Sequence, residues 1–111
     1  MMRRVVLAAA LMAGALFAQP PNPTNGRKLF TRFGCYQCHQ REAQGAAATG
    51  PRLGPHPIPF ARFTRYVRQP TGQMPPYTIK VVKDAELADI YAFLESLPDP
   101  PAVKDIPLLN Q

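Results

Sequence analysis

Apolar residues recur along this chain at helical rather than strand spacing, and prolines decide where helices can lie. The Pro-free windows 24–50, 60–69 and 77–97 are the ones able to hold uninterrupted helix interiors, because proline removes an N–H and clashes with the preceding turn. The first window predicts a helix capped by Thr24 or Asn25, with Leu29, Phe30 and Phe33 on its apolar face and Gly34 as its stop. The second predicts a helix over 60–68. Phe60, Phe63 and Val67 fall at helical spacing, with Arg62, Arg65 and Arg68 on the opposite, solvated side. It ends at Gln69, ahead of Pro70. In the third window Asp84 is a good N-cap, Glu86 sits in the first turn, and Leu87, Ile90, Tyr91 and Leu94 repeat at i, i+3, i+4 and i+7. Pro98 closes it. Alternating strands joined by hairpin turns are not seen; the one short candidate, 77–82, follows a proline pair. The pattern predicts an all-α fold of three main short helices and long, rigid loops.

Residues 1–18 stand apart. Arg3 and Arg4 precede an apolar run from Val5 to Phe17, and Ala18 is a small residue suited to cleavage before Gln19. This is the pattern of a secretory signal peptide. The run is shorter than the roughly 20 residues of a spanning helix, so no stable membrane insertion is expected after cleavage. The mature chain is expected to be periplasmic and soluble. It divides into a Pro-rich leader at 19–25, a folded domain at 26–98 and a polar, proline-containing tail at 99–111. Fourteen prolines in 111 residues, against about 5 % in average proteins, exclude long sheets and coiled coils. So small a domain buries a modest core, which directs attention to a disulfide, a metal or a cofactor. Export makes a disulfide between Cys35 and Cys38 chemically permitted.

Local pattern decides among these. Cys35-Tyr36-Gln37-Cys38-His39 is a C-x-x-C-H run, the attachment signature of c-type haem. Two thiols three positions apart on a helical turn can both add to the vinyl groups of one porphyrin edge, and the adjacent imidazole then reaches the iron. A thioredoxin-type disulfide would sit beside a βαβ pattern, and none is visible. Zinc has four ligands on paper in Cys35, Cys38, His39 and His56, but His56 lies between Pro55 and Pro57 without a second paired motif. With His39 on one face of the iron, the sixth ligand decides whether the site passes electrons or binds small molecules. Met74 is the one methionine outside the signal segment, and it sits in Thr71-Gly72-Gln73-Met74-Pro75-Pro76-Tyr77. Glycine and two prolines fix a turn there rather than a helix face. His56 and an open iron are the competitors.

Taken together these residues resemble a small monohaem bacterial cytochrome c of the His/Met, class I type. Gly26 and Phe30 are similar to that family's G-x-x-x-aromatic pair, and Cys35–His39 to its haem motif. Gly50-Pro51-Arg52-Leu53 resembles its Gly-Pro-x-Leu loop, Met74-Pro75 its distal ligand motif, and 87–94 its last helix. The resemblance spans 26–97. It implies a cytochrome c-like fold around one haem c, covalent through Cys35 and Cys38, with iron held by His39 and Met74. It also implies that the Pro51 carbonyl accepts the His39 imidazole N–H, and that Leu53, Phe63 and Tyr77 wall the haem. The chain departs from familiar members in having no tryptophan, a short 39–50 connection and a proline-studded 51–59 stretch, where Arg52 is a candidate propionate contact.

The implied activity is single-electron transfer between periplasmic donor and acceptor proteins, with no bond made and hence no enzyme. Residues 19–83 hold ten Lys and Arg against Glu42 alone, whereas 84–111 hold Lys104 against six acids. A basic face of this kind suits acidic partners met in transient complexes by a monomer. Nucleic acid is not expected as a partner. Two alternatives stay open: a haem-based sensor with a dissociable distal ligand, and a dedicated electron-transfer subunit of a periplasmic dehydrogenase, docked by its tail.

Overall fold

The computed structural model describes residues 19–111; the signal segment expected at 1–18 lies outside them. The described residues form four helices and no strand: α1 (Pro23–Arg32), α2 (Tyr36–His39), α3 (Phe60–Arg68) and α4 (Asp84–Ser96). Two 3-10 turns follow, at Val103–Asp105 and Pro107–Leu109. The fold is all-α. The short candidate at 77–82, set aside from the sequence as a strand, is a turn in which the amides of Val81 and Val82 bond the carbonyl of Thr78.

Helix α1 begins earlier than its proline-free window. Asn22 caps it by accepting from the Asn25 amide at 3.1 Å, and Pro23 occupies the first turn, where its missing N–H is not needed. The expectation of Thr24 or Asn25 as cap is therefore corrected to Asn22. At the other end Gly34 takes φ 77°, the Gly34 amide bonds Thr31 and the Cys35 amide bonds Phe30. This is a Schellman stop, and it delivers Cys35 directly from the end of α1 into α2.

Helix α1 crosses α4, the main helix pairing among the described residues. Gly26 makes the crossing: a Cβ there would lie 1.8 Å from the Asp89 carbonyl oxygen. The Asp89 carboxylate reaches over to accept from the Asn22 amide at 2.7 Å and the Asn25 side chain at 2.8 Å. Phe30 and Phe93 pack edge to face, 5.3 Å apart. Phe93 is fully buried while Tyr91, placed on the apolar stripe by sequence, is only partly buried. Its hydroxyl donates to the Ile58 carbonyl at 2.9 Å, and its ring meets Phe60 and Phe63 of α3.

Helix α4 is capped by Lys83 rather than Asp84. Glu86 reaches back to the Lys83 amide at 3.0 Å, and Asp84 is drawn to Arg68 at 2.8 Å. Helix α3 keeps its expected bounds and buries Phe63 and Val67. Arg68 corrects the expected polar face: only 18 % of its side chain is exposed. Arg27 grips Glu42 with both guanidinium nitrogens and holds that carboxyl below its usual range. The pair is half exposed, so it adds little stability.

Candidate functional site

Parts of all four helices and of the loops between them surround one opening. A cavity of about 960 Å³, at the upper end of the roughly 300–1,000 Å³ typical of small-molecule sites, lies between the four helices and the two long loops. Cys35, Cys38, His39, Pro51, Leu53 and Met74 all line it, so the structure brings every site residue expected from sequence onto one wall system. Core side chains form its floor: Phe30, Val82, Leu87, Ile90 and Leu94 both fill the core and face the cavity. Phe63 and Tyr77 line it as well.

The His39 imidazole is buried and its orientation is fixed from behind. Nδ1 lies 2.8 Å from the Pro51 carbonyl oxygen. A carbonyl only accepts, so Nδ1 carries the proton and Nε2 is left with its lone pair free to bind a metal. The loop 40–59 builds this contact. Leu53 bonds back to the Ala43 carbonyl, Gly45 to that of His39 and Ala46 to that of Gly50, while the Thr49 hydroxyl donates to Cys38 at 2.7 Å. Gly50 must be small, since a Cβ there would stand 3.0 Å from the imidazole ring. Gly45, at φ 71°, has a second reason: its Cβ would meet the Arg52 amide at 2.4 Å.

Cys35 and Cys38 are unbridged thiols, Cys38 exposed and Cys35 partly buried. Burial pushes the Cys35 thiol up to about 11, which keeps it neutral in the apolar wall. His56 lines the rim, but 79 % of its side chain is exposed and its Nε2 lies 2.8 Å from an Asp99 oxygen. Among the described residues no three His, Cys, Asp or Glu side chains gather around a common point; the four-ligand zinc set is not assembled. Arg52 also lines the cavity, its guanidinium 3.3 Å from the Gly54 carbonyl.

Sequence reasoning missed Thr49, Ile58 and Tyr66 as parts of this site. Ile58 and Tyr66 line the cavity and are exposed, so the cavity opens through an apolar rim. Their spacing carries no motif; only the folding of the proline-rich loop against α3 places them there.

An apolar cavity, a paired-thiol edge and one buried imidazole with Nε2 free fit a covalent haem c, and define a c-type cytochrome domain. A sequence model of the family described as cytochrome C oxidase, cbb3-type, subunit III matches residues 21–94, and the chain belongs to that family. Comparison with curated proteins and with solved structures finds no match. The family's chemistry is haem-based electron transfer. No helix among the described residues is long and apolar enough to cross a membrane.

Proposed function

We propose that this chain is an exported monohaem cytochrome c that exchanges single electrons between periplasmic protein partners. Cys35 and Cys38 would hold the haem through thioethers formed by adding each S–H across a vinyl group, and His39 Nε2 and the Met74 sulfur would be the iron's protein ligands. The bound haem supplies the one-electron couple of its iron. The chain's residues do the rest. Pro51 holds the imidazole and makes it a better donor. The apolar walls from Phe30 to Leu94 would keep water from a bound haem, and Met74 would deny the iron to a small ligand. A thioether opposite imidazole raises the potential relative to more donating ligand pairs. The observation that carries this reading is the His39–Pro51 bond at 2.8 Å on the wall shared with both cysteines and Met74.

Met74→Ala is the test. Covalent haem should remain, the reduced protein should bind carbon monoxide, and the potential should fall. A variant that keeps a wild-type six-coordinate spectrum would remove Met74 from the iron. On this reading the donor and acceptor carry acidic patches, met in transient complexes by the basic 19–83 segment, and a reaction rate indifferent to ionic strength would contradict that.

A second reading is favoured by one observation. The family description names a subunit of an oxidase, and the tail leaves Val103, Leu108 and Leu109 exposed, Leu108 by 80 %. Its backbone is nonetheless ordered by Asn110, whose side-chain Nδ2 lies within 3.2 Å of the carbonyls of Val103, Lys104 and Ile106. A turn held this way with apolar side chains outward suits docking to an enzyme complex. Co-purification of a stable heteromer that is lost on deleting 99–111 distinguishes subunit from free carrier.

A further inference from the structure

We infer that Arg68 is the positioning residue for Met74, fixing the segment that carries the methionine against α3. This rests on Met74 as the distal ligand proposed above. By sequence Arg68 belongs on a solvated face with Arg62 and Arg65, which are exposed. Its guanidinium instead turns inward. Nη1 donates to the carbonyls of Tyr77 at 3.0 Å and Val82 at 2.7 Å, and Nη2 donates to Asp84 Oδ1 at 2.8 Å. Burying a cation is costly unless its donors are matched. Three acceptors from three positions supply that match, and a planar fork can hold them together where a point charge cannot.

The clamp closes on Tyr77, the anchor on the C-terminal side of Met74. The Tyr77 amide donates to the Val67 carbonyl at 3.0 Å, its phenol donates to the Phe33 carbonyl at 2.8 Å, and its own carbonyl is held by Arg68. Upstream, the Tyr66 hydroxyl sits 3.1 Å from the Thr71 hydroxyl. Between these anchors, among the described residues, 72–73 form a turn and no backbone–backbone hydrogen bond holds 72–76 to another element. Met74 lies in that span, separated from Tyr77 by Pro75 and Pro76. Two residues with fixed φ make a stiff link, so where Tyr77 is held decides where Met74 stands. Without Arg68, two carbonyls lose their buried donor and the strap is free to rock away from the cavity.

The experiment compares the haem-loaded wild type with Arg68→Gln, Arg68→Lys and, as a control that removes the same charge from the same helix, Arg65→Gln. Two quantities are read: the temperature at which the oxidised protein loses its weak long-wavelength iron–methionine band, and the rate of carbon monoxide binding to the reduced form. Both are compared with the temperature of helix loss by circular dichroism. In Arg68→Gln the band should disappear well before the helices melt, and carbon monoxide should bind about tenfold faster, equivalent to about 1.4 kcal/mol. Arg68→Lys should fall between it and wild type, and Arg65→Gln should match wild type. Band loss that tracks helix melting in Arg68→Gln, or equal effects from Arg65→Gln, would overturn the positioning role. A wild type lacking the band altogether would overturn Met74 ligation itself, a failure visible before any variant is made.

Discussion

Replacing Cys35 and Cys38 together by alanine is expected to abolish covalent haem and, with it, the folded state. The reason lies in how the core is built. Phe30, Leu87, Ile90 and Leu94 are core residues whose other faces line the cavity, so the haem and the core share their walls. Without haem these side chains face water instead of the porphyrin, and losing burial worth about 1.5–3 kcal/mol for each large apolar side chain over several of them is comparable with the whole stability of an ordinary domain at about 5–15 kcal/mol. The double variant should therefore show little helical circular dichroism, and its denatured mass should lack the haem increment. Wild-type yields of haem-linked protein would contradict attachment at these two positions.

Gly26→Ala is expected to lower the melting temperature of the haem-loaded protein by about 10 °C. Alanine improves helix propensity by about 1 kcal/mol over glycine, and alone that would stabilise α1. Packing decides the outcome instead. The new Cβ would stand 1.8 Å from the Asp89 oxygen and 2.9 Å from the Phe93 Cβ, where real contacts begin beyond 3 Å. The helices must part by more than 1 Å, loosening the Phe30–Phe93 contact and the bonds from Asn22 and Asn25 to Asp89. Overpacking of this kind costs about 3 kcal/mol. The net loss is about 2 kcal/mol, and each kcal/mol moves the midpoint of so small a domain by about 4–8 °C. A melting temperature at or above that of wild type would mean the crossing is looser than its geometry.

Chemistry was more legible in this sequence than geometry. The C-x-x-C-H run and the proline-flanked Met74 are local signals, and each reaches the cavity wall as expected. Helix α3 was readable to the residue because Pro59 and Pro70 bound it. The N-termini of α1 and α4 were each misplaced because two residues compete for a cap. Asn22 wins since Pro23 is tolerated in a first turn, and Lys83 wins since Arg68 takes the Asp84 side chain. Phe93 was missed because its partner, the face of α1 around Gly26, is sixty residues or more away in the chain. The same holds for Arg68. Helical spacing puts it with Arg62 and Arg65, and only the return of 77–84 past the end of α3 supplies the carbonyls that draw it inward.

The most direct measurement is the pair of absorption spectra, oxidised and reduced, of the mature protein expressed with haem-attachment machinery. Haem bound through Cys35 and Cys38 with His39 and Met74 on the iron predicts sharp reduced bands that survive denaturing extraction, and a weak long-wavelength band in the oxidised form. Haem bands without that feature would contradict the Met74 assignment and leave His56 or an open iron, and a colourless protein would contradict the haem site as a whole.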